Sequence, residues 1–85
     1  MAEQTKQSFS RRQAVKNRLG KSTTALYQDM ADGLFPRPIR IGLRAVAWLD
    51  HEIDAVIAAR VAGKSQEQIK ELVRRLVADR AKNMI

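Results

Sequence analysis

The apolar residues of the chain recur at helical spacing in four segments and alternate with polar residues over a short stretch. The clearest helical pattern is C-terminal, where apolar side chains occupy positions i, i+3, i+4, i+7 and i+8. These residues are Ile69, Leu72, Val73, Leu76 and Val77. Ser65 and Gln68 precede them at the spacing of a capping box, in which each side chain bonds the other residue's backbone N–H. The pattern predicts an amphipathic helix over residues 65–82.

Two shorter helices are predicted near the N-terminus. The first covers Arg11–Leu19, with Ser10 as its cap, Gln13 at capping-box spacing and Gly20 at its end. Its apolar face consists of Ala14, Val15 and Leu19. Residues 1–9 are mostly polar and lack periodicity, so we expect them to form a flexible arm.

The second helix is predicted to begin after Ser22, whose hydroxyl can accept a bond from a free backbone N–H. It ends at Gly33, since glycine adopts the left-handed conformation at little cost. Its apolar positions are Leu26, Met30 and Ala31. Two short helices joined by a glycine-containing turn form a helix-turn-helix arrangement, which also occurs in small proteins of other functions.

Pro36 and Pro38 exclude a helix after this pair, because each fixes φ and lacks the N–H donor. Two strand-like runs follow at residues 39–41 and 45–48, and residues 42–44 form a hairpin-length connection. A third helix is predicted from Asp50 to Gly63, with acidic residues in its first turns. Its buried side is predicted to contain Ile53, Val56, Ile57 and Val61.

These elements predict a mainly α fold with a small β-hairpin. Residues 10–62 form a winged helix-turn-helix domain in this interpretation, and residues 65–82 form a C-terminal helix. A chain of 85 residues is long enough for one domain with a small core.

The charge of the chain is uneven. The net charge is +7, and residues 1–48 carry nine Lys/Arg against three Asp/Glu, whereas residues 49–85 carry seven against six. A positive excess confined to the half with the helix pair and the hairpin is typical of a surface that binds a polyanion.

Several function classes lack the residues that they need. The chain has no cysteine and a single histidine, His51, which argues against a zinc site and a disulfide framework. No nucleophile–base pair, phosphate-binding loop or carboxylate pair can be assembled, so we expect neither an enzyme nor a cofactor. The apolar runs are too short to span a membrane and no signal-peptide segment is present, so we expect a soluble cytoplasmic protein.

The central segment resembles a known family. Residues 33–48 follow the pattern G-x-F-P-x-P-x-x-x-G-x-R-A-V-A-W, and residues 52–57 follow E-I-D-x-x-I. Over about residues 11–59 the chain is similar to the AlpA family of prophage regulatory proteins. The resemblance implies a MerR-like winged-helix fold and a small transcription regulator or excisionase-like factor. The chain departs from the family pattern at Lys21, Thr23 and Val56, and the resemblance does not extend to the C-terminal helix.

The resemblance makes the second helix the expected DNA-recognition helix, because the helix-turn-helix arrangement presents that helix to the major groove. Its polar face comprises Thr23, Thr24, Tyr27 and Gln28. Gln can bond adenine, Thr can contact a thymine methyl and Tyr can bond a phosphate. Tyr27 could instead pack on the hairpin. Lys21 is expected to contact a phosphate.

The hairpin is expected to act as a basic wing. Arg40 and Arg44 can follow the DNA backbone or enter a narrow minor groove, although Arg44 could instead hold the hairpin to the domain. The remaining predicted DNA contacts are Arg37, Arg11, Arg12 and Lys16. The predicted core comprises Leu26, Phe35, Trp48, Ile53 and Ile57.

The C-terminal apolar stripe must be buried, either on its own domain or on a second copy, and we favour self-association because the winged-helix unit is complete without it. The expected partners are double-stranded DNA in the bacterial nucleoid, further copies on repeated sites as a homodimer or cooperative multimer, and an integrase or recombinase. The alternative is a protein-interaction module that inhibits a recombinase or a response regulator.

Overall fold

The structure, a computed structural model, describes residues 8–82. Three short antiparallel strands form one sheet in the order β1-β3-β2, and four helices surround it. The elements in chain order are β1 (Phe9–Ser10), α1 (Arg12–Leu19), α2 (Thr23–Ala31), β2 (Ile39–Gly42), β3 (Ala45–Leu49), α3 (Asp50–Val61) and α4 (Gln66–Lys82). The fold is a winged helix-turn-helix with an added C-terminal helix, as the sequence predicts.

Local hydrogen bonds set the ends of α2. The Ser22 Oγ accepts from the Ala25 N–H at 3.1 Å, which confirms the predicted N-cap. At the other end Gly33 has φ +78°, and the Gly33 and Leu34 N–H groups donate to carbonyl oxygens of the last helical turn at 3.2 and 2.8 Å. This bonding pattern is a Schellman motif, which satisfies the terminal carbonyls and stops the helix. The prediction for α2 is therefore confirmed.

The two predicted capping boxes have different outcomes. At α4 the Ser65 N–H donates to the Gln68 Oε1 at 2.9 Å and the Gln68 N–H donates to the Ser65 Oγ at 3.2 Å, which confirms that box. The prediction of a capping box at Ser10 is wrong. Ser10 lies in β1 and its hydroxyl donates to Asp50 at 2.5 Å, so it is not available to α1. The N-cap of α1 is Arg11, which makes no side-chain capping bond.

The end of the predicted N-terminal arm is ordered by pairing with β3. Phe9 lies opposite Leu49 and Ser10 opposite Trp48, and the Asp50 N–H donates to the Ser8 carbonyl at 2.9 Å. The prediction of a flexible arm is therefore wrong for residues 8 and 9, because strand pairing fixes their backbone. Residues 1–7 of that arm lie outside the described residues.

The β2–β3 hairpin, here called the wing, confirms the predicted strands. Ile39 lies opposite Ala47 and Arg40 opposite Val46, and the register then shifts before Gly42 lies opposite Ala45. The turn itself consists of residues 43 and 44, so it is one residue shorter than predicted. A register shift of this kind locally bends and twists a hairpin.

The core lies between the sheet and all four helices. Its buried apolar residues are Val15, Leu26, Met30, Leu34, Phe35, Trp48, Ile53, Val56, Ile69 and Val73, with Ile57 partly buried against them. The indole N–H of Trp48 donates to the Pro36 carbonyl at 3.0 Å, which holds the proline segment against β3. Val61, predicted to face the core, is 83% exposed because it lies at the last turn of α3, beyond the packed region.

Helix α4 packs on its own domain. Ile69 and Val73 are buried in the core, Leu72 and Leu76 are partly buried against it, and Val77 is 41% exposed. The interpretation of this stripe as a self-association surface is therefore corrected. A short turn after α3 returns α4 across that helix, and the core covers most of the stripe within one chain.

An ion pair between a buried carboxylate and a partly buried guanidinium anchors the end of α4. The Arg80 guanidinium donates from Nε to the Glu52 Oε2 at 2.8 Å and from Nη2 to the Glu52 Oε1 at 2.6 Å. Glu52 is fully buried. Arg80 Nη2 also donates to the Arg37 carbonyl at 2.8 Å. One side chain thus joins α4 to α3 and to the segment before the wing.

Candidate nucleic-acid interface

Helix α2 presents a polar face opposite its buried one. Leu26 and Met30 lie in the core, while Thr24, Tyr27 and Gln28 are exposed. Thr23 is half-buried at the first turn. Because residues three and four apart lie on one face of a helix, the exposed side chains form one surface.

Three parts of the chain meet in a concavity of about 390 Å³ beside this face. We call this site the arginine concavity. Its lining residues are Arg11, Arg12, Gln13, Tyr27, Arg44 and Val46. The structure therefore brings together four predicted site residues from the start of α1, from α2 and from the wing. No acidic side chain contributes to the lining, so the site favours a negatively charged ligand.

Gln13 and Val46 were not predicted as site residues. The sequence places Gln13 in a capping box, and Val46 lies in a strand where alternation alone does not identify its neighbours. The register of the β2–β3 hairpin identifies the neighbour of Val46. Arg40 lies directly opposite Val46 and is therefore adjacent to the arginine concavity.

The cations of this region keep their charge uncompensated. Within residues 8–82, Arg11, Arg12, Lys16, Arg40 and Arg44 have no carboxylate partner within 4.0 Å. Several other cations of the described residues are paired, as Arg18 is with Asp54 at 2.6 Å. These unpaired cations give the surface a positive potential.

Arg11 and Arg12 stand at the electrically unfavourable end of α1. The N-terminus of a helix carries a partial positive charge, which favours anions and disfavours cations. The first turn of α1 contains no acidic residue, and Arg11 at the N-cap accepts no backbone N–H. The placement does not stabilise the helix, whereas it would help to bind an anion shared between the side chains and the free N–H groups.

Lys21 and Gln28 make bonds within the domain. The Lys21 Nζ lies 2.5 Å from the Asp29 Oδ2, and Arg60 approaches the same oxygen at 3.8 Å. The Gln28 amide donates to Asp32 at 3.1 Å, an exposed contact that a ligand could replace. Lys21 therefore connects the residues before α2 to the middle of that helix. Its ammonium group, which was predicted to contact a phosphate, is paired with Asp29 in the structure.

Arg37 lies apart from the arginine concavity. Its exposed side chain lines an apolar groove of about 520 Å³ between the proline segment and α4, together with Phe35, Pro36 and Val77. The groove shares no lining residue with the arginine concavity. Arg37 thus lies in a separate groove from the predicted site residues of the arginine concavity.

Asp50 fixes the strand that leads into Arg11 and Arg12. Its carboxylate accepts from the Ser10 hydroxyl at 2.5 Å and from the Ser8 hydroxyl at 2.6 Å. The Ser10 bond, then the Ser8 bond, lower the pKa of this carboxyl, with a smaller contribution from the charge of Arg18 and partial opposition from desolvation. The anchoring contacts therefore favour the ionised form.

The lowered pKa of Asp50 makes the anchoring of β1 dependent on pH. Its contribution to stability is fully present above the ordinary value near 3.8 and is lost as the pH falls through the lower pKa of the folded protein. We expect Asp50→Asn to reduce the acid dependence of the free energy of unfolding and to speed amide exchange in β1 at neutral pH. Urea titrations at a series of pH values measure the first effect, and identical profiles for both proteins would contradict it.

Among residues 8–82 no group of three or more His, Cys, Asp and Glu side chains could hold a metal ion. Within the same range, no helix has both the length and the apolar character that a membrane-spanning helix needs.

Comparison with known proteins shows the family of the chain. The model of the family described as prophage CP4-57 regulatory protein (AlpA) matches residues 8–61. The chain is 34% identical over 62 residues to the uncharacterized protein ORF88 of Enterobacteria phage P4, a match that covers 73% of this chain and 70% of that protein. No solved structure matches. The matched residues include β1, the helix pair, the wing and α3, and the chain belongs to the AlpA family of prophage regulatory proteins.

Proposed function

We propose that this protein is a sequence-specific DNA-binding regulator of a phage or mobile element. The arginine concavity is the observation that carries the proposal. Three guanidinium groups without carboxylate partners in the described residues converge there beside the polar face of α2. Duplex DNA supplies the dense negative charge that such a surface binds.

Helix α2 enters the major groove in this proposal. Thr24 and Gln28 face the base edges, where the Gln28 amide exchanges its bond to Asp32 for a bidentate bond to adenine. Tyr27 stands at the border between α2 and the arginine concavity, so its hydroxyl is placed to bond a phosphate. Thr23 contributes from the first turn, where it is half-buried.

The wing and α1 hold the backbone on either side of α2. Arg40 and Arg44 contact the backbone or the adjacent minor groove, and Arg11, Arg12 and Lys16 contact phosphates. Three to six such contacts correspond to a slope of about −3 to −5 in a plot of log affinity against log salt. Lys21 and Arg37 have lesser roles, because Lys21 is paired and Arg37 lies apart.

The biological role proposed for this binding is regulation of genes of the mobile element, in the manner of a MerR-like winged helix. An excisionase role would use the same interface at an attachment site, with an integrase or recombinase nearby. One small domain covers a short site, so we propose that several copies bind repeated sites. Inhibition of a recombinase or a response regulator through protein contact alone is the competing function that the experiment must exclude.

The test is the affinity for duplex DNA at several salt concentrations. The duplex flanking the protein's own gene is compared with a scrambled duplex of equal length. We expect tighter binding to the native flank and a steep salt dependence. No measurable binding to either duplex would contradict the proposal and favour the protein-interaction module.

Substitution of wing cations separates phosphate contacts from base contacts. We expect Arg44→Gln to weaken binding about 5–10-fold on all sequences and to reduce the salt slope by about 0.9. Lys64→Gln is the matched control, because Lys64 is an exposed cation in the α3–α4 turn, outside the arginine concavity. Equal effects of the two substitutions would show that only net charge matters and that the wing makes no specific contact.

Substitution of Gln28 tests base recognition. We expect Gln28→Ala to lose about 1–3 kcal/mol of discrimination at one base pair, since a bidentate contact is removed. Selection from a randomised duplex library measures the preference. An unchanged preference at every position would remove Gln28 from the base-contacting surface.

A further inference from the structure

The tip of the wing carries an apolar side chain that the domain leaves uncovered. Leu43 is 87% exposed, the most exposed of the large hydrophobic residues in the described chain. It lies in the two-residue turn between β2 and β3, and Ile41 beside it is 42% exposed. Water contact at an aliphatic side chain is unfavourable, so any partner that covers Leu43 gains free energy.

The charges around Leu43 indicate what that partner is. Arg40 and Arg44 flank the tip in sequence, and neither has a carboxylate partner in residues 8–82. A second copy that met this tip with its own wing would bring four guanidinium groups together, which is repulsive. A polyanion with an apolar interior could both cover Leu43 and pair with the two arginines. Duplex DNA is such a polyanion, because its stacked base pairs lie between two phosphate backbones.

We propose that Leu43 is a wedge that enters the minor groove and inserts between two base pairs, so that the protein kinks its DNA. Apolar wedges of this type partly unstack a base step and bend the duplex by about 20–90°. Arg40 and Arg44 bind the phosphates on either side, or the floor of the groove, and hold the wedge in place. This inference rests on the proposed DNA binding and adds a bending activity to it.

The wedge also provides a source of sequence preference that uses no hydrogen bond from the wing. Pyrimidine–purine steps such as TA and CA unstack at a lower cost than other steps. The wing therefore favours sites with such a step at the position that Leu43 reaches. The register shift between Arg40 and Gly42 increases the local twist of the hairpin and turns its tip relative to the rest of the sheet.

The experiment measures bending and affinity together. The full chain is mixed with a duplex labelled at both ends with a fluorescence donor and acceptor, and energy transfer reports the bend. We expect Leu43→Ala to bind about 3–10-fold more weakly, with the same salt slope, and to leave the duplex nearly straight. Leu43→Phe should bend the duplex as the original protein does, because a larger wedge replaces the first.

Val61→Ala is the matched control, since Val61 is an aliphatic side chain at the end of α3 that is exposed to a similar degree. It should leave affinity and bend unchanged. Both positions are exposed, so neither substitution is expected to disturb folding, which circular dichroism checks.

The experiment distinguishes failure of the proposed function from failure of the wedge proposal. Absence of DNA binding by the original protein would overturn the proposed function and the wedge together. DNA binding with equal bends for the original protein and Leu43→Ala would overturn the wedge alone. A monomer–dimer equilibrium that Leu43→Ala abolishes, with no change in bending, would assign the tip to protein contact and likewise overturn the wedge.

Discussion

Replacement of Arg80 by methionine is expected to lower the free energy of unfolding by about 3–5 kcal/mol, because it leaves the buried Glu52 carboxylate without its counter-charge. Arg80 supplies two hydrogen bonds to that carboxylate, at 2.8 and 2.6 Å, and a third to the Arg37 carbonyl. Small domains have a total stability of about 5–15 kcal/mol, so the loss would remove a substantial part of it. Urea denaturation followed by circular dichroism measures it.

Two further variants separate the buried pair from general effects on α4. Arg74→Met removes the exposed Arg74–Glu71 pair from the same helix and should change stability far less, since water screens it. The double substitution Glu52→Leu with Arg80→Met should recover most of the loss, because it removes both charges. A double variant as unstable as Arg80→Met would contradict the explanation based on an unpaired charge.

Replacement of Arg11 by aspartate is expected to change stability and DNA affinity in opposite directions. Arg11 occupies the N-cap of α1 with extended backbone, where aspartate can accept a backbone N–H and complement the helix dipole. We expect a gain of about 1 kcal/mol in the free energy of unfolding. Under the proposed function the reversed charge lies in the arginine concavity, and affinity should fall more than about tenfold.

The controls for Arg11→Asp separate capping from charge. Arg11→Ser caps the helix without adding a negative charge, so it should stabilise the domain and weaken binding to an intermediate degree. Lys64→Glu makes the same change in net charge outside the arginine concavity and should affect binding less. Thermal unfolding and DNA affinity at one fixed salt concentration give both quantities. A parallel loss of stability and affinity in Arg11→Asp would show that Arg11 is a structural residue.

Elements that depend on neighbouring residues could be predicted from the sequence. The Ser22 cap, the Schellman motif at Gly33 and the capping box at Ser65 each require bonds within a few residues, and all three are present. Ser10 fits the same local pattern, yet its hydroxyl bonds Asp50, forty residues away in the chain. Local chemistry does not distinguish these two uses of a serine.

Contacts between distant segments account for the remaining differences. The pairing of Phe9 with Leu49 depends on where β3 lies, and the burial of α4 depends on the direction in which the chain returns after α3. The Glu52–Arg80 pair joins the first turn of α3 to the last turns of α4, and neither residue's pattern identifies the other. The C-terminal helix was therefore predicted correctly as an element, and its apolar stripe packs on its own domain, the less favoured of the two partners considered.

The candidate site likewise combines features that the sequence predicts with features that depend on contacts between distant segments. Charge and the family resemblance identify Arg11, Arg12 and Arg44 one by one, whereas their convergence with Tyr27 follows from the packing of α1, α2 and the wing. Lys21 has the same charge as these residues but is paired with Asp29 eight positions later. Which cations remain available is a property of the folded chain.

The division of cations into paired and unpaired groups also determines how the protein would approach DNA. Pairs such as Arg18–Asp54 and Arg74–Glu71 contribute almost no field at a distance, whereas Arg11, Arg12, Arg40 and Arg44 concentrate positive charge around the arginine concavity and the wing. Much of the unpaired positive charge of the described residues therefore lies around this proposed interface. Under the proposed function, a nearby duplex would attract this charge and turn the interface towards the DNA before contact, which would raise the association rate constant and make it fall steeply with ionic strength.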